Sequence, residues 1–195
     1  MAAGRICTGF SKPYAARVTE TSTSSYRCSN GRLIGRGVSV SIEPESSDDD
    51  GFSADNGQAE TGKTTFTGGT LTLVIDGLRR ENMTFLTSGV TNAGTWTLYG
   101  DYGADDRYVA VGFIARYQIE NEEVYVPIVL PKCKFDPIST SAETQEDSIS
   151  WQAQELTAKI YRQISTSVHS WKFVGTDCAT EAAAEALIKR RLGIT

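Results

Sequence analysis

Most of the chain alternates apolar and polar side chains with a period of two, the spacing that gives a β-strand one oily face and one wet face. Residues 33–43 set Val38, Val40 and Ile42 against Gly37, Ser39, Ser41 and Glu43, and Leu71, Leu73 and Ile75 oppose Thr70, Thr72 and Val74 in the same way. Over residues 108–119, Val109, Val111, Phe113, Ala115, Tyr117 and Ile119 share a face. The polar corner Glu120-Asn121-Glu122-Glu123 then returns the chain into Val124, Val126, Ile128 and Leu130, which predicts a hairpin. Pro127 and Pro131 lack a backbone donor, so the return arm is expected at a sheet edge or at a break in pairing. Further on, Ser148, Ser150, Gln152 and Gln154 alternate with Ile149, Trp151 and Ala153. Leu156, Ala158 and Ile160 fall on the opposite parity, predicting a bulge or bend near Glu155. Residues 170–175 supply a final strand.

Two segments have helical character. The shorter runs over about residues 78–86, with Asp76 as its expected cap and Gly89 as its stop. The second starts near Thr180, capped by Thr180 or Asp177. Glu181 sits at its positive end and Lys189, Arg190 and Arg191 at its negative end before Gly193. Its Ala183, Leu187, Ile188 and Leu192 form a narrow apolar stripe that needs a sheet to lie on. The expected fold is therefore mainly β, of the α+β kind: a β-sandwich or open barrel with a C-terminal helix and a short helix packed on it. A chain of 195 residues suffices for one such domain, spanning residues 1–195.

Charge divides that domain unevenly. From Met1 to Arg36 there are six basic residues (Arg5, Lys12, Arg17, Arg27, Arg32 and Arg36) against one acid, Glu20. From Gly37 to Thr61 there are seven acids (Glu43, Glu45, Asp48, Asp49, Asp50, Asp55 and Glu60) and no base. A basic N-terminal arm, about residues 1–12, and a long acidic loop, about 44–62, are expected, either as solvated surface or as complementary docking partners between copies. The net charge of −5 disfavours a tight grip on nucleic acid but allows nucleic acid to slide past. No apolar run is long enough to span a bilayer and the first residues lack the apolar core of a secretory signal, so a soluble protein made in a cytosol, with no membrane partner, is expected.

Candidate chemistry is thin. Residues 57–64, Gly-Gln-Ala-Glu-Thr-Gly-Lys-Thr, match the phosphate-loop string letter for letter. A phosphate loop joins a buried strand to the first turn of a helix. Upstream of this octet the chain is acidic and poor in apolar residues, and downstream Thr64 to Asp76 reads as a strand, so a hairpin tip is expected. Cys7, Cys28, Cys133 and Cys178 contain no Cys-x-x-Cys pair and are expected to be buried free thiols, with no metal and no cofactor. His169, the only histidine, has no nucleophile motif beside it and is expected to be an ordinary strand residue; no catalytic group is assigned. Asn82-Met83-Thr84 is a glycosylation triplet that carries no weight without a secretory signal.

Many short stretches, taken in order, resemble one family. They are Lys12-Pro13-Tyr14-Ala15-Ala16-Arg17-Val18, a Gly-led strand ending at Glu43, Phe52-Ser53-Ala54-Asp55-Asn56 with Glu60 following, and Gly69-Thr70-Leu71-Thr72-Leu73 before a short leucine-bearing helix. Val111-Gly112-Phe113-Ile114, Leu130-Pro131-Lys132-Cys133-Lys134-Phe135 and Ile149-Ser150-Trp151-Gln152 before Glu155-Leu156 continue the order. The chain resembles the major tail tube proteins of long-tailed, non-contractile bacteriophages over nearly its whole length. It departs from them at Ala54, set in a short acidic loop, and beyond Val174, where only a helix containing Ala and Glu is shared.

The resemblance implies a structural subunit of the virion tail, made in the host bacterial cytoplasm, and not an enzyme. Such subunits form hexameric rings that stack into the tube through which the genome leaves, with a tape measure protein and tail-end proteins as partners and double-stranded DNA in transit. Basic side chains lining the bore would capture phosphates, so a wall of hydroxyls, amides and carboxylates is expected. Ser39, Ser41, Glu43, Thr70, Thr72, Ser148, Ser150, Gln152 and Gln154 are the expected lumen residues. Lys12, Arg17, Asp48, Asp49, Asp50 and Asp55 are the expected contacts between subunits. The alternatives are another tail component of the same fold (a terminator or tail-tip hub), an immunoglobulin-like adhesion module, and a nucleotide-binding protein.

Overall fold

The computed structural model describes residues 4–22, 25–47, 64–100, 107–140, 152–165 and 169–194. Ten strands and two helices follow in order: β1 (Arg5–Ser22), β2 (Ser25–Leu33), β3 (Gly37–Ser47), β4 (Thr65–Ile75), α1 (Arg80–Leu86), β5 (Val90–Ala93), β6 (Trp96–Tyr99), β7 (Val109–Ile119), β8 (Glu122–Phe135), β9 (Gln154–Ile160), β10 (Phe173–Val174) and α2 (Glu181–Arg191). The fold is mainly β, as the alternation predicts. Seven strands form one antiparallel sheet in the order β2-β1-β7-β8-β9-β4-β3; β10 adds to β8, and β5 and β6 make a separate hairpin.

The sheet curls so that its end strand β3 comes back against β1. Gly37 of β3 permits this, because a Cβ there would collide with the Phe10 ring of β1. Phe10 meets Phe113 edge to face with centroids 5.4 Å apart. Inside the curl lie Leu71, Leu73 and Ile75 of β4, Val111 and Phe113 of β7, Val126, Ile128 and Leu130 of β8, and Leu156, Ala158 and Ile160 of β9. Each is one parity of its strand, which is how period two becomes a core. α1 closes one end with Phe85 and Leu86, and Asn82 Nδ2 donates to the Ile34 carbonyl at 3.0 Å. This buried amide is no glycosylation acceptor.

Where α2 crosses them, the middle stretches of β1, β7 and β8 are buried on both faces. Their outward parity, Tyr14, Ala16, Ala110, Ile114 and Val129, packs under Ala184, Ile188 and Leu192 of α2. Gly112 sits on that face, and a Cβ there would lie 2.7 Å from Ile188 Cγ2, so its missing side chain sets how closely the helix approaches. Thr180 caps α2 by accepting from Ala183 N–H at 3.3 Å, as expected. The apolar stripe differs from expectation: Ala183 is exposed, and Ala184 takes its place in the interface.

Several further expectations are corrected. β8 is central, with β7 on one side and β10 and β9 on the other. Pro127 tolerates this because its carbonyl, and therefore its missing N–H side, faces Gly175 instead of β7. Pro131 falls between the β10 and β9 pairings, opposite a register shift in β7, which is the break in pairing that a proline permits. β9 pairs with β4 without interruption from Gln154 to Ile160, so no bulge lies at Glu155; the parity change reflects the start of the strand at Gln154. The bulge is in β3, where Gly37 and Ser39 face consecutive residues of β4; this turns Val38 out to 58% exposure. Asp76 does not cap α1, whose N-cap Arg79 makes no side-chain cap bond; it accepts instead from Arg36 N at 2.8 Å and Arg36 Nε at 2.6 Å. The last strand is reduced to Phe173–Val174.

Candidate interaction surfaces

The outward parity of β3, β4 and β9 forms a continuous polar face. Register places Ser39, Val74 and Glu155 in one row, Ser41, Thr72 and Thr157 in the next, and Glu43, Thr70 and Lys159 in the third. Five expected lumen residues, Ser39, Ser41, Glu43, Thr70 and Thr72, are therefore neighbours on one surface. Gln154 is not: it has the parity of Leu156 and Ala158, and its amide donates to the Ser139 carbonyl at 3.0 Å. Gln152 precedes the strand, and Ser148 and Ser150 lie outside the described residues. Nor is the face free of cations. Lys159 stands beside Thr70, and Lys134 of β8 is its cross-strand neighbour. The strand assignment that paired Gln152 and Gln154 with the hydroxyl faces hid these lysines; reading β9 from Gln154 would have exposed the Glu155, Thr157, Lys159 parity.

The two expected basic contacts are engaged within the chain. Residues 5–12 of the expected arm belong to β1, whose register with β7 shifts between Ser11 and Tyr14. Lys12 there takes a left-handed φ of 51° and turns toward α2, where its ammonium pairs with Glu185 and lies 3.9 Å from Glu181. Glu185 also accepts from Tyr14 OH at 2.6 Å and pairs with Lys189 at 2.8 Å. Hydrogen bonds from Lys12, then Lys189, then Tyr14 hold its carboxyl down at about 2. Ser11 Oγ donates to Glu181 at 2.5 Å, and Arg5 pairs with Asp177 at 3.1 Å. This cluster pins the helix to the sheet. Arg17 donates to the Thr84 carbonyl at 3.1 Å and lies 4.9 Å over the Phe85 ring. Asp48, Asp49, Asp50 and Asp55 lie outside the described residues.

A second internal ion pair was not legible in the sequence. Glu20, its side chain 2% exposed, binds Lys132 Nζ at 2.7 Å and accepts from the backbone N–H groups of Ile164 and Ser165 at 2.8 and 3.0 Å. Burial alone would raise its pKa, but Lys132 and the two amides outweigh burial and leave it below the ordinary carboxylate value.

Of the phosphate-loop octet only Thr64 is described, and the chain enters strand β4 at Thr65, where a nucleotide site would need a helix. β3 and β4 pair as far as Ser47 and Thr65, so the octet lies in the connection of a hairpin. All four cysteines are free, but only Cys133 is buried, and burial pushes its thiol far up; Cys7 is exposed. His169 is not in a strand: it is exposed with a φ of 49°, and its Nδ1 lies 3.3 Å from the Gln163 carbonyl. Among the described residues no three metal-ligating side chains converge, and no helix is long and apolar enough to cross a membrane.

Surfaces suited to association are more prominent. Within the described sheet, β2 and β3 each pair along one edge only. The β5–β6 hairpin presents Trp96, Leu98 and Tyr99 at 74%, 52% and 52% exposure. Arg80 steadies this hairpin through Asn92 Oδ1, Thr97 Oγ1 and the Gly94 and Trp96 carbonyls. Compared with known proteins, the chain matches no protein-family model and no curated sequence.

Proposed function

We propose that the protein is a structural subunit of a phage tail tube that assembles as stacked hexameric rings around a conduit for the genome. The observation that carries this reading is the hydroxyl-rich face across β3, β4 and β9, where Ser39, Ser41, Thr70, Thr72 and Thr157 lie among Glu43, Glu155, Val74 and Lys159, beside strand β3, whose outer edge pairs with no other strand of the described sheet. An exposed edge is a liability for a monomer and a joint for an oligomer. Joining one surface to a different surface of the next copy builds rings and lets them stack. On the polar face Glu43, Glu45 and Glu155 offset Lys159 and Lys134, so DNA meets little net attraction. The ordered resemblance to major tail tube proteins supports the same conclusion. Partners under this reading are further copies of the chain, a tape measure protein and tail-end proteins, with the virion tail as its location and no catalytic role.

Electron microscopy of concentrated protein tests the proposal. Long hollow rods with sixfold end views are expected, with Ser41 and Thr72 facing the bore. A single capping ring would point to a terminator or hub instead. Sedimentation as a monomer at every concentration, or rods with this face outward, would overturn the reading.

A further inference from the structure

An apolar groove of about 450 Å³ runs between α2 and β10, lined by Pro127, Val129, Phe173, Val174 and Leu187. Val174 is 54% exposed in it. Arg190 and Arg191 form its rim, and the Arg191 guanidinium lies 3.9 Å over the Phe173 ring. Both arginines also border a second, polar recess on their far side, which adds Arg27. There Gln163 Oε1 and Ser165 Oγ are buried without a hydrogen-bond partner among the described residues. Neither Arg190 nor Arg27 has an ion-pair partner among the described residues, although both lie on a chain of net charge −5. The site thus asks for an apolar or aromatic side chain flanked by carboxylates.

The chain itself contains such a segment. Asp48-Asp49-Asp50-Gly51-Phe52-Ser53-Ala54-Asp55 sets one aromatic ring among four carboxylates. It belongs to the 17 residues, 48–64, that connect the paired ends of β3 and β4, Ser47 and Thr65. Phe52 is five residues beyond Ser47, a reach of at most about 17 Å when extended. We propose that the α2–β10 groove receives residues 48–55 of a second copy, Phe52 entering the apolar floor and the aspartates meeting Arg190, Arg191 and Arg27. Two different surfaces of one chain are thereby joined, and a contact of that kind propagates from copy to copy. The inference rests on the tube reading for its choice of a second copy over the chain's own loop. It replaces the expected acceptor, the N-terminal basic residues, because Lys12 and Arg17 are committed to Glu185 and to α1.

A fluorescein-labelled peptide of residues 44–62 added to full-length protein tests the docking by anisotropy. Saturable binding is expected, weakened at least tenfold by R190E/R191E, by the milder R190Q/R191Q and by Phe52→Ala in the peptide. R190E/R191E protein should bind a peptide carrying D48K/D49K/D50K better than it binds the native peptide. Equal binding to wild type and both arginine variants, or none, would overturn the proposal. In an R190K/R191K variant, which sets a primary amine at each arginine position of the rim, carbodiimide coupling of a mixture of ¹⁴N and ¹⁵N protein should give mixed-isotope links between the aspartates and positions 190 and 191; links within one isotope only would overturn it in favour of the chain's own loop. Rods whose formation ignores the arginines would sink the groove and leave the tube reading intact. Arginine-dependent peptide binding without rods would do the reverse.

Discussion

Replacing Glu185 by Gln should loosen the C-terminal helix from the sheet, and the geometry sets the size of the effect. One carboxylate serves three donors: the Lys12 and Lys189 ammonium groups and Tyr14 OH. Its side chain is 15% exposed, whereas Lys12 and Lys189 are 36% and 41% exposed. Released lysines can therefore recover water, which discounts their share of the loss. Tyr14 is 7% exposed and cannot recover it as easily, but the amide oxygen of Gln still accepts its hydroxyl. The net cost at neutral pH is about 2 kcal/mol, which lowers Tm by about 4–8 °C for a chain of this size. The sign with pH follows from the lowered pKa. Glu185 holds its proton only near 2, below the ordinary 4.5, so its stabilisation is complete above 4.5 and is lost as pH falls through the folded value. Urea unfolding followed by circular dichroism at pH 7, 4 and 2 should show the difference between wild type and variant shrinking toward zero in acid. A difference under about 0.5 kcal/mol at pH 7, or one that persists unchanged at pH 2, would refute the assignment.

Two other perturbations probe the fold. Gly112→Val drives a side chain into Ile188 and should cost about 1–3 kcal/mol, with hydrogen exchange accelerating in α2 while the β4 amides keep their protection. Glu20→Gln leaves Lys132 buried at 15% exposure without its counter-charge and should cost about 3 kcal/mol. Because the Glu20 pKa is lowered, that penalty should fade only in acid, below the ordinary carboxylate range, as seen in denaturant midpoints measured across pH.

The sequence by itself determined the elements whose apolar set repeats without interruption. Leu71, Leu73 and Ile75, the hairpin through residues 120–123, and a helix begun by Thr180 were legible because period, turn chemistry and capping act over a few residues. Five of the polar-face residues were legible for the same reason. Only the tertiary structure decided what depends on neighbours distant in sequence. The curl of the sheet makes β8 central in spite of its prolines, and the Gly37 to Ser39 bulge turns Val38 outward. Register brings Lys159 beside Thr70, and the fold spends Lys12, Arg17 and Glu20 on internal partners. A charge has no periodicity that reveals its partner. Whether it faces water, a neighbouring copy or a partner on another element is settled only when segments far apart in sequence pack together.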